Sequence, residues 1–242
     1  MKSIIRINLI LALFLLGLGL SAQNNYHENN YYFRQNSPRV TIGAKAGLNI
    51  SELKGHPENM KSDVGFNAGI VVDYNFNANL YLSSGLEFYN KRIKYDHGVY
   101  SIPGYDIVIP SSSKKAMYLQ VPLHLGYKFY AADMFRIAPH VGPYVAYGVG
   151  GRIEVGEEVH INGEVIGVNE FVNRYPGFKK VGDTFGDYGF KKFDYGIGVG
   201  ILFEYDRVGL GVNYDFGLKN ISRGSDKINT RSGYVTLGYK FN

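Results

Sequence analysis

The stretch MYLQVPLHLGYKF at residues 117–129 limits the fold more than any other part of the chain. Met117, Leu119, Val121, Leu123, Leu125, Tyr127 and Phe129 occupy every second position, with Tyr118, Gln120, Pro122, His124, Gly126 and Lys128 between them. Strict alternation of this length specifies a β-strand with one apolar and one polar face. In a soluble fold a second sheet or helices must cover the apolar face, whereas in a membrane barrel lipid covers it.

The pattern recurs. Its apolar positions are Val40–Leu48, Val64–Tyr74, Leu80–Phe88, Met117–Phe129, Phe135–Tyr147, Phe193–Tyr205, Val208–Phe216 and Val235–Phe241, each taken at every second residue with few interruptions. This predicts eight strands, and no amphipathic helical segment is long enough to cover a sheet. Three connections are short: residues 75–79, 130–134 and the Asp206-Arg207 turn. Four are long, at about 50–62, 91–115, 150–191 and 219–231. Short turns at one end and long loops at the other, with an even strand count, predict an all-β, eight-stranded antiparallel transmembrane barrel of the outer membrane, with short periplasmic turns and long extracellular loops. In the longest loop, Asn162-Gly163 between short alternating runs is a hairpin signal that extends the wall outward.

The beginning of the chain agrees. MKSIIR is basic, INLILALFLLGLGL is apolar, and SAQ follows, which reads as a secretory signal over 1–22 cut after Ala22. Residues 23–38 are polar and rich in Asn and Tyr, a periplasmic linker before a barrel over 39–242. There is no Cys, which excludes disulfides and thiolate metal sites. The net charge of +5 falls to +3 when Lys2 and Arg6 leave with the signal, too mild to argue for nucleic acid.

The two faces differ as lipid and lumen should. The apolar set carries no Lys, Arg, Asp or Glu, and its aromatics gather near the short turns as a girdle. The other set is thinned by Gly, as a narrow interior requires. It supplies a lumen polar cluster of Lys45, Asp73, Glu87, His124, Lys128, Arg136, His140, Asp194, Glu204 and Asp215. Asp73 and Glu204 lie at the short-turn end, where a mixed charge cluster plugs the periplasmic half; Glu87, Asp194 and Asp215 meet Lys45 and Lys91 further out. If the 130–134 turn pairs Phe129 with Phe135, His124 lies opposite His140 and Lys128 opposite Arg136. Two imidazoles can begin a metal site or proton relay, but this register fixes no third ligand, and a packed polar pair is the simpler reading. A barrel this small has room for side chains and not for a wide channel.

MYLQVPLHLGYKF, FRIAPHVGPYVAYG, FDYGIGVGI, VNYDFGLKNIS and the terminal GYVTLGYKF together resemble the PorT-like outer-membrane β-barrel family of Bacteroidetes-type bacteria, over roughly residues 38–242. The resemblance implies an eight-stranded barrel whose last strand ends in an aromatic read by the barrel-assembly machinery. Tyr239 and Phe241 are that signal here, with Phe241 penultimate and followed by Asn242, a small departure. It also implies a link to protein secretion, with secretion-complex proteins as partners.

Motifs for chemistry are weak. GIGVG at 196–200 lies inside an alternating strand, GVGGR at 148–152 lacks the phosphate-loop Lys, and NIS at 49–51 and 220–222 is a sequon of low specificity. The expected protein is therefore a non-enzymatic barrel in the cell outer membrane, without cofactor or metal. It sits among outer-membrane lipid and lipopolysaccharide, and acts through its loops or periplasmic rim as membrane anchor, adhesin or secretion accessory. Tyr100, Tyr105, Tyr175 and Tyr188 are loop aromatics for a partner or for capping the mouth. The alternative is a lipid-modifying enzyme at the outer rim, for which His97, Ser101, Asp106, His160 and Asp183 are the available residue types.

Overall fold

The computed structural model describes residues 38–55, 60–95, 98–102, 105–109, 112–132, 134–156, 158–174, 181–186, 189–223 and 227–242. The expected signal and most of the linker lie outside the described residues. Eight long strands form the wall: β1 (Val40–Lys54), β2 (Met60–Asn75), β3 (Leu80–Tyr95), β6 (Ser112–Tyr127), β8 (Phe135–Val155), β12 (Phe193–Tyr205), β13 (Val208–Gly217) and β14 (Asn229–Lys240). Each pairs antiparallel with its neighbour in chain order, and β14 pairs with β1, so the sheet closes on itself. Closure leaves no edge with unpaired backbone groups, which is what a β-structure in lipid requires. At the seam Phe241 N–H donates to Ile42 O at 2.8 Å. The Asn242 side chain continues the ladder, accepting from Ile42 N–H and donating to Val40 O, both at 2.9 Å.

Among the described residues six short strands and one helix lie between the wall strands. β4 (Gly98–Ile102) and β5 (Tyr105–Ile109) form a hairpin, as do β9 (Glu158–Ile161) and β10 (Glu164–Gly167). β7 (Phe129–Tyr130) continues the β6–β8 hairpin, and β11 (Val181–Gly182) pairs with the outer end of β8. The helix α1 (Val168–Arg174) follows β10 directly. Asn162 and Gly163 turn the β9–β10 hairpin with φ of 51° and 86°. Both values lie in the left-handed region that Asn and Gly tolerate, which is why this dipeptide makes the turn.

The short turns follow local chemistry. Asn77 Oδ1 accepts from the N–H groups of Asn79 and Leu80 at 2.8 and 2.7 Å, an Asx turn between β2 and β3. Asp206 carries a φ of 51° in the two-residue β12–β13 turn. The turn between β7 and β8 corrects the sequence reading. Phe129 lies opposite Ile137, Tyr130 opposite Arg136 and Gly126 opposite His140, a shift of two residues from the expected pairing. The ladder runs on to Ala131, whose N–H donates to Phe135 O at 2.9 Å, so the turn begins later than residue 130. Because the shift is even, each side chain keeps its face.

The wall also outruns its expected limits: β1 and β2 leave only residues 55–59 between them, β3 reaches Tyr95, and β8 reaches Val155. Beyond the lipid the outward positions turn polar and the alternation of hydrophobicity ends, but the hydrogen-bond ladder does not.

Leu48, Ile70, Leu123, Val141, Val212 and Leu237 are exposed on the outer wall, while Gln120, Asp194, Glu204 and Asp215 are buried inside. An apolar outside with a buried polar inside is the inverse of a soluble barrel. Ring pairs Tyr74–Phe76, Tyr127–Phe129 and Tyr239–Phe241 mark the short-turn end. Phe66–Phe88, Phe193–Tyr195 and Tyr214–Phe216 form a second girdle at the other end, which the sequence reading did not anticipate.

Candidate functional site

The lumen is filled in three levels. At the periplasmic end Asp73, Lys240, Glu204 and Arg136 form a continuous ionic chain. Lys240 Nζ lies 3.0 Å from Asp73 and 2.9 Å from Glu204, and Arg136 lies 2.7 Å from the other Glu204 oxygen. The chain bridges β2, β14, β12 and β8, tying together strands that are not all neighbours. Lys128 is separate: its Nζ donates to Asn75 Oδ1 at 2.7 Å and lies 5.0 Å from the Tyr81 ring centre. A carboxylate on Arg136 and an amide on Lys128 remove the conflict between these two cations. Lys240 and Asn75 were missing from the sequence reading of this cluster. Lys240 lies on the polar face of the last strand, and only the fold brings it across β13 to Glu204.

The middle level holds the histidines. Their rings stack at 5.3 Å between centres with an angle of 19°, diagonal rather than opposite. His140 Nε2 is 2.9 Å from Asn213 Oδ1, while His124 Nε2 is buried without a hydrogen-bond partner among the described residues. Both border a cavity of about 70 Å³ together with Lys45, Asp73, Glu87 and Lys240. Among the described residues no three His, Cys, Asp or Glu gather as a metal site. Lys45 Nζ lies 2.8 Å from Glu87, whose second oxygen accepts from the Tyr89 hydroxyl at 2.8 Å. The lumen glycines are needed for space: a Cβ at Gly198 would come within 2.7 Å of His124 Nε2 and 2.8 Å of Asp215, and at Gly200 within 2.7 Å of His140.

Further out, Gln120 donates to Asp215 at 2.9 Å and Thr230 to Asp194 at 2.7 Å. Lys91, placed near these carboxylates by the sequence reading, is buried with its ammonium 5.6 and 5.3 Å from the ring centres of Tyr89 and Tyr118. The mouth is then closed by apolar loop residues: Phe185, Phe190, Ile221 and Ile228 pack on Tyr89, Ala116, Tyr118 and Tyr144. Phe185 meets Tyr118 edge-on at 5.3 Å, and Asn220 Oδ1 holds the β13–β14 loop by accepting from Ser222 and Ile228 N–H, both at 3.0 Å. The NIS at 220–222 thus serves the plug. Of the loop tyrosines, Tyr175 and Tyr188 lie outside the described residues, and Tyr100 and Tyr105 fall on β4 and β5.

Four of the five residue types offered for an enzyme fall among the described residues. His97 lies outside the described residues. Ser101 pairs with Asp106 in register, His160 lies opposite Val108, and Asp183 accepts from Phe185 N–H at 2.9 Å in the plug segment.

Closed strands, an apolar exterior and a filled polar interior define a transmembrane β-barrel of the outer membrane. The family described as outer membrane protein beta-barrel domain matches residues 21–223, and the chain belongs to it. No curated protein matches by sequence. Among solved structures the chain is similar to Neisserial surface protein A at 17% identity, covering 84% of this chain and 96% of that one with a TM-score of 0.38. It is similar to Ail, the attachment invasion locus protein of Yersinia pestis, at 13%, covering 84% and 100% with a TM-score of 0.41. It is also similar to OprG of Pseudomonas aeruginosa at 13%, covering 84% and 96% with a TM-score of 0.40.

Proposed function

We propose that this barrel is a non-enzymatic anchor that holds a structured extracellular platform for a protein partner. The observation that carries the reading is a second sheet beyond the membrane. β10, β9, β5 and β4 pair in that order, and Val159, Ile161, Ile166, Val168 and Phe171 form a core separate from the lumen. Loops that only closed the mouth would not need a core of their own, whereas a surface that binds a partner gains affinity from being preorganised. The filled lumen supports the same reading, since it leaves the outer loops, the periplasmic rim and the lipid-facing wall as working surfaces. The resemblance to the PorT-like family favours a secretion accessory among the possible roles, and an adhesin uses the same platform.

The test is a pull-down from solubilised outer membrane with the parent and with a variant in which residues 158–174 are replaced by a short Gly/Ser turn. A platform brings a partner that the variant loses. Recovery of the same neighbours by both moves the function to the periplasmic rim, and recovery of none by either removes the partner role. Planar-bilayer recordings of the folded protein are expected to show no steady large conductance, and reproducible open channels count against an anchor.

A further inference from the structure

Where β3, β6 and β8 leave the membrane, three cations stand side by side. Arg92 lies directly opposite Lys115, and Lys115 directly opposite Arg152. Arg92 and Lys115 are on the outer wall, since their chain neighbours Lys91, Ile93 and Ala116 are buried, and Arg152, directly opposite Lys115, shares that face with its side chain 64% exposed. Lys94 extends the group and has Lys61 opposite it. Among the described residues two carboxylates answer Arg92, Lys94, Lys115 and Arg152. Asp63 lies 3.4 Å from both Arg92 and Lys94, and Glu154 lies 3.3 Å from Lys115 and 3.9 Å from Arg152. Like charges directly opposite one another destabilise a sheet. A row that keeps three of them in register, with cations in excess, is suited to an anion from outside the chain.

The depth of the row identifies the anion. On β6 the outward positions from Tyr127 to Met117 are apolar, and Lys115 is the next outward position. At a strand rise of about 3.3 Å and a tilt near 45°, the apolar stretch climbs about 23 Å, the height of the apolar band of such a barrel. Lys115 therefore stands at the level of the outer-leaflet headgroups. Strands lie about 4.8 Å apart, so the row spans about 10 Å. That width suits a sugar headgroup carrying two phosphates better than a single phosphodiester.

We propose that Arg92, Lys115 and Arg152 form a binding row for the phosphates of the outer-leaflet glycolipid. The site deepens the anchor part of the function proposed above and rests on it. Phosphate oxygens bridge neighbouring cations, and the guanidinium groups at both ends can each hold a phosphate through two N–H donors. The lipid thereby removes the repulsion that the bare row carries.

The test uses the whole folded barrel in zwitterionic micelles and reads the shift of its unfolding temperature, followed by heat-modifiable gel mobility. The probes are bis-phosphorylated lipid A, lipid A stripped of phosphate, phosphatidylglycerol and inorganic phosphate. The parent is expected to be stabilised by bis-phosphorylated lipid A and little by the other three. The Lys115→Gln/Arg152→Gln double variant should bind that lipid about thirtyfold more weakly, at about fivefold per cation. Arg39→Gln, just before β1 at the short-turn end of the wall, should behave as the parent. Equal response of parent and double variant overturns the site, as does equal response to phosphatidylglycerol, which is general attraction to anionic lipid, or to free phosphate. If the double variant does not fold, Arg92→Gln gives the same reading with one cation removed. Loss of phosphate discrimination with the folded band intact defeats the row alone; failure to fold in any lipid defeats the anchor as well.

Discussion

The periplasmic lumen and the outer wall both concentrate charge, but they balance it differently. Inside, Arg136 and Lys240 share the two oxygens of Glu204, and Lys240 also reaches Asp73. Outside, Arg92, Lys115 and Arg152 neighbour one another, with carboxylates only on their flanks. Glu204 is 1% exposed, whereas the side chain of Arg152 is 64% exposed. A buried charge has no partner but the protein, so the chain must supply its counterion. A charge at the membrane surface can draw on lipid and solvent, so an excess of one sign is tolerated. The same residue types are thus structural in one place and available for binding in the other.

The largest effect should come from breaking the inner balance. Glu204→Ala leaves the partly buried Arg136 and Lys240 without their shared carboxylate, Lys240 keeping only Asp73, and is expected to cost about 3 kcal/mol. Glu204→Gln keeps an acceptor and should cost less. Urea unfolding in lipid vesicles measures both, and a Glu204→Ala protein as stable as the parent would remove the ionic chain as a structural element.

Next comes the division between the faces. Leu123 is 47% exposed on the lipid side and His124 is 6% exposed in the lumen. Leu123→Arg places a charge near the middle of the apolar band and should cost about 2–4 kcal/mol, read as folding yield in vesicles. Folding at the parental yield would reverse the assignment of lipid and lumen.

These faces were legible because lipid and lumen act on each strand by itself, so every strand from Val40 to Phe241 carries the pattern in its own residues. The register of β6 against β8 was not legible. It depends on which residues take the turn, and Ala131 and Ala132 carry no Gly, Asn or Pro to mark it. An error of two residues leaves the faces intact and moves His124 from opposite His140 to a stacked diagonal. The apolar plug was hidden for a different reason. Phe185, Phe190, Ile221 and Ile228 sit in loops without periodicity, and only the fold brings them over Tyr118. The outer ends of the strands were not legible because hydrophobic alternation stops where the lipid stops. The cation row lies in those outer ends.

A smaller effect is expected at the middle of the lumen. His124→Gln keeps a polar side chain beside the cavity and should change stability by about 1 kcal/mol or less. The same unfolding assay checks it. A loss as large as that of Glu204→Ala would mean that the ring stack with His140, and not the ionic chain alone, holds the strands together.

The smallest effect separates the two charged regions most sharply, because its sign differs. Arg152→Gln removes one cation from the outer row and relieves its repulsion with Lys115, while giving up a long contact of 3.9 Å with Glu154. Exposed pairs of this kind contribute a few tenths of a kcal/mol, so the variant should be stabilised by about 0.2–0.5 kcal/mol in phosphate-free zwitterionic micelles at low salt. At about 1 M salt the screening length falls to roughly 3 Å, and the gain should disappear. Chemical unfolding of parent and variant at the two salt concentrations makes the measurement. Destabilisation at low salt that persists at high salt would show that Arg152 is held by the protein's own contacts, and the outer row would then belong to the same class as the inner chain.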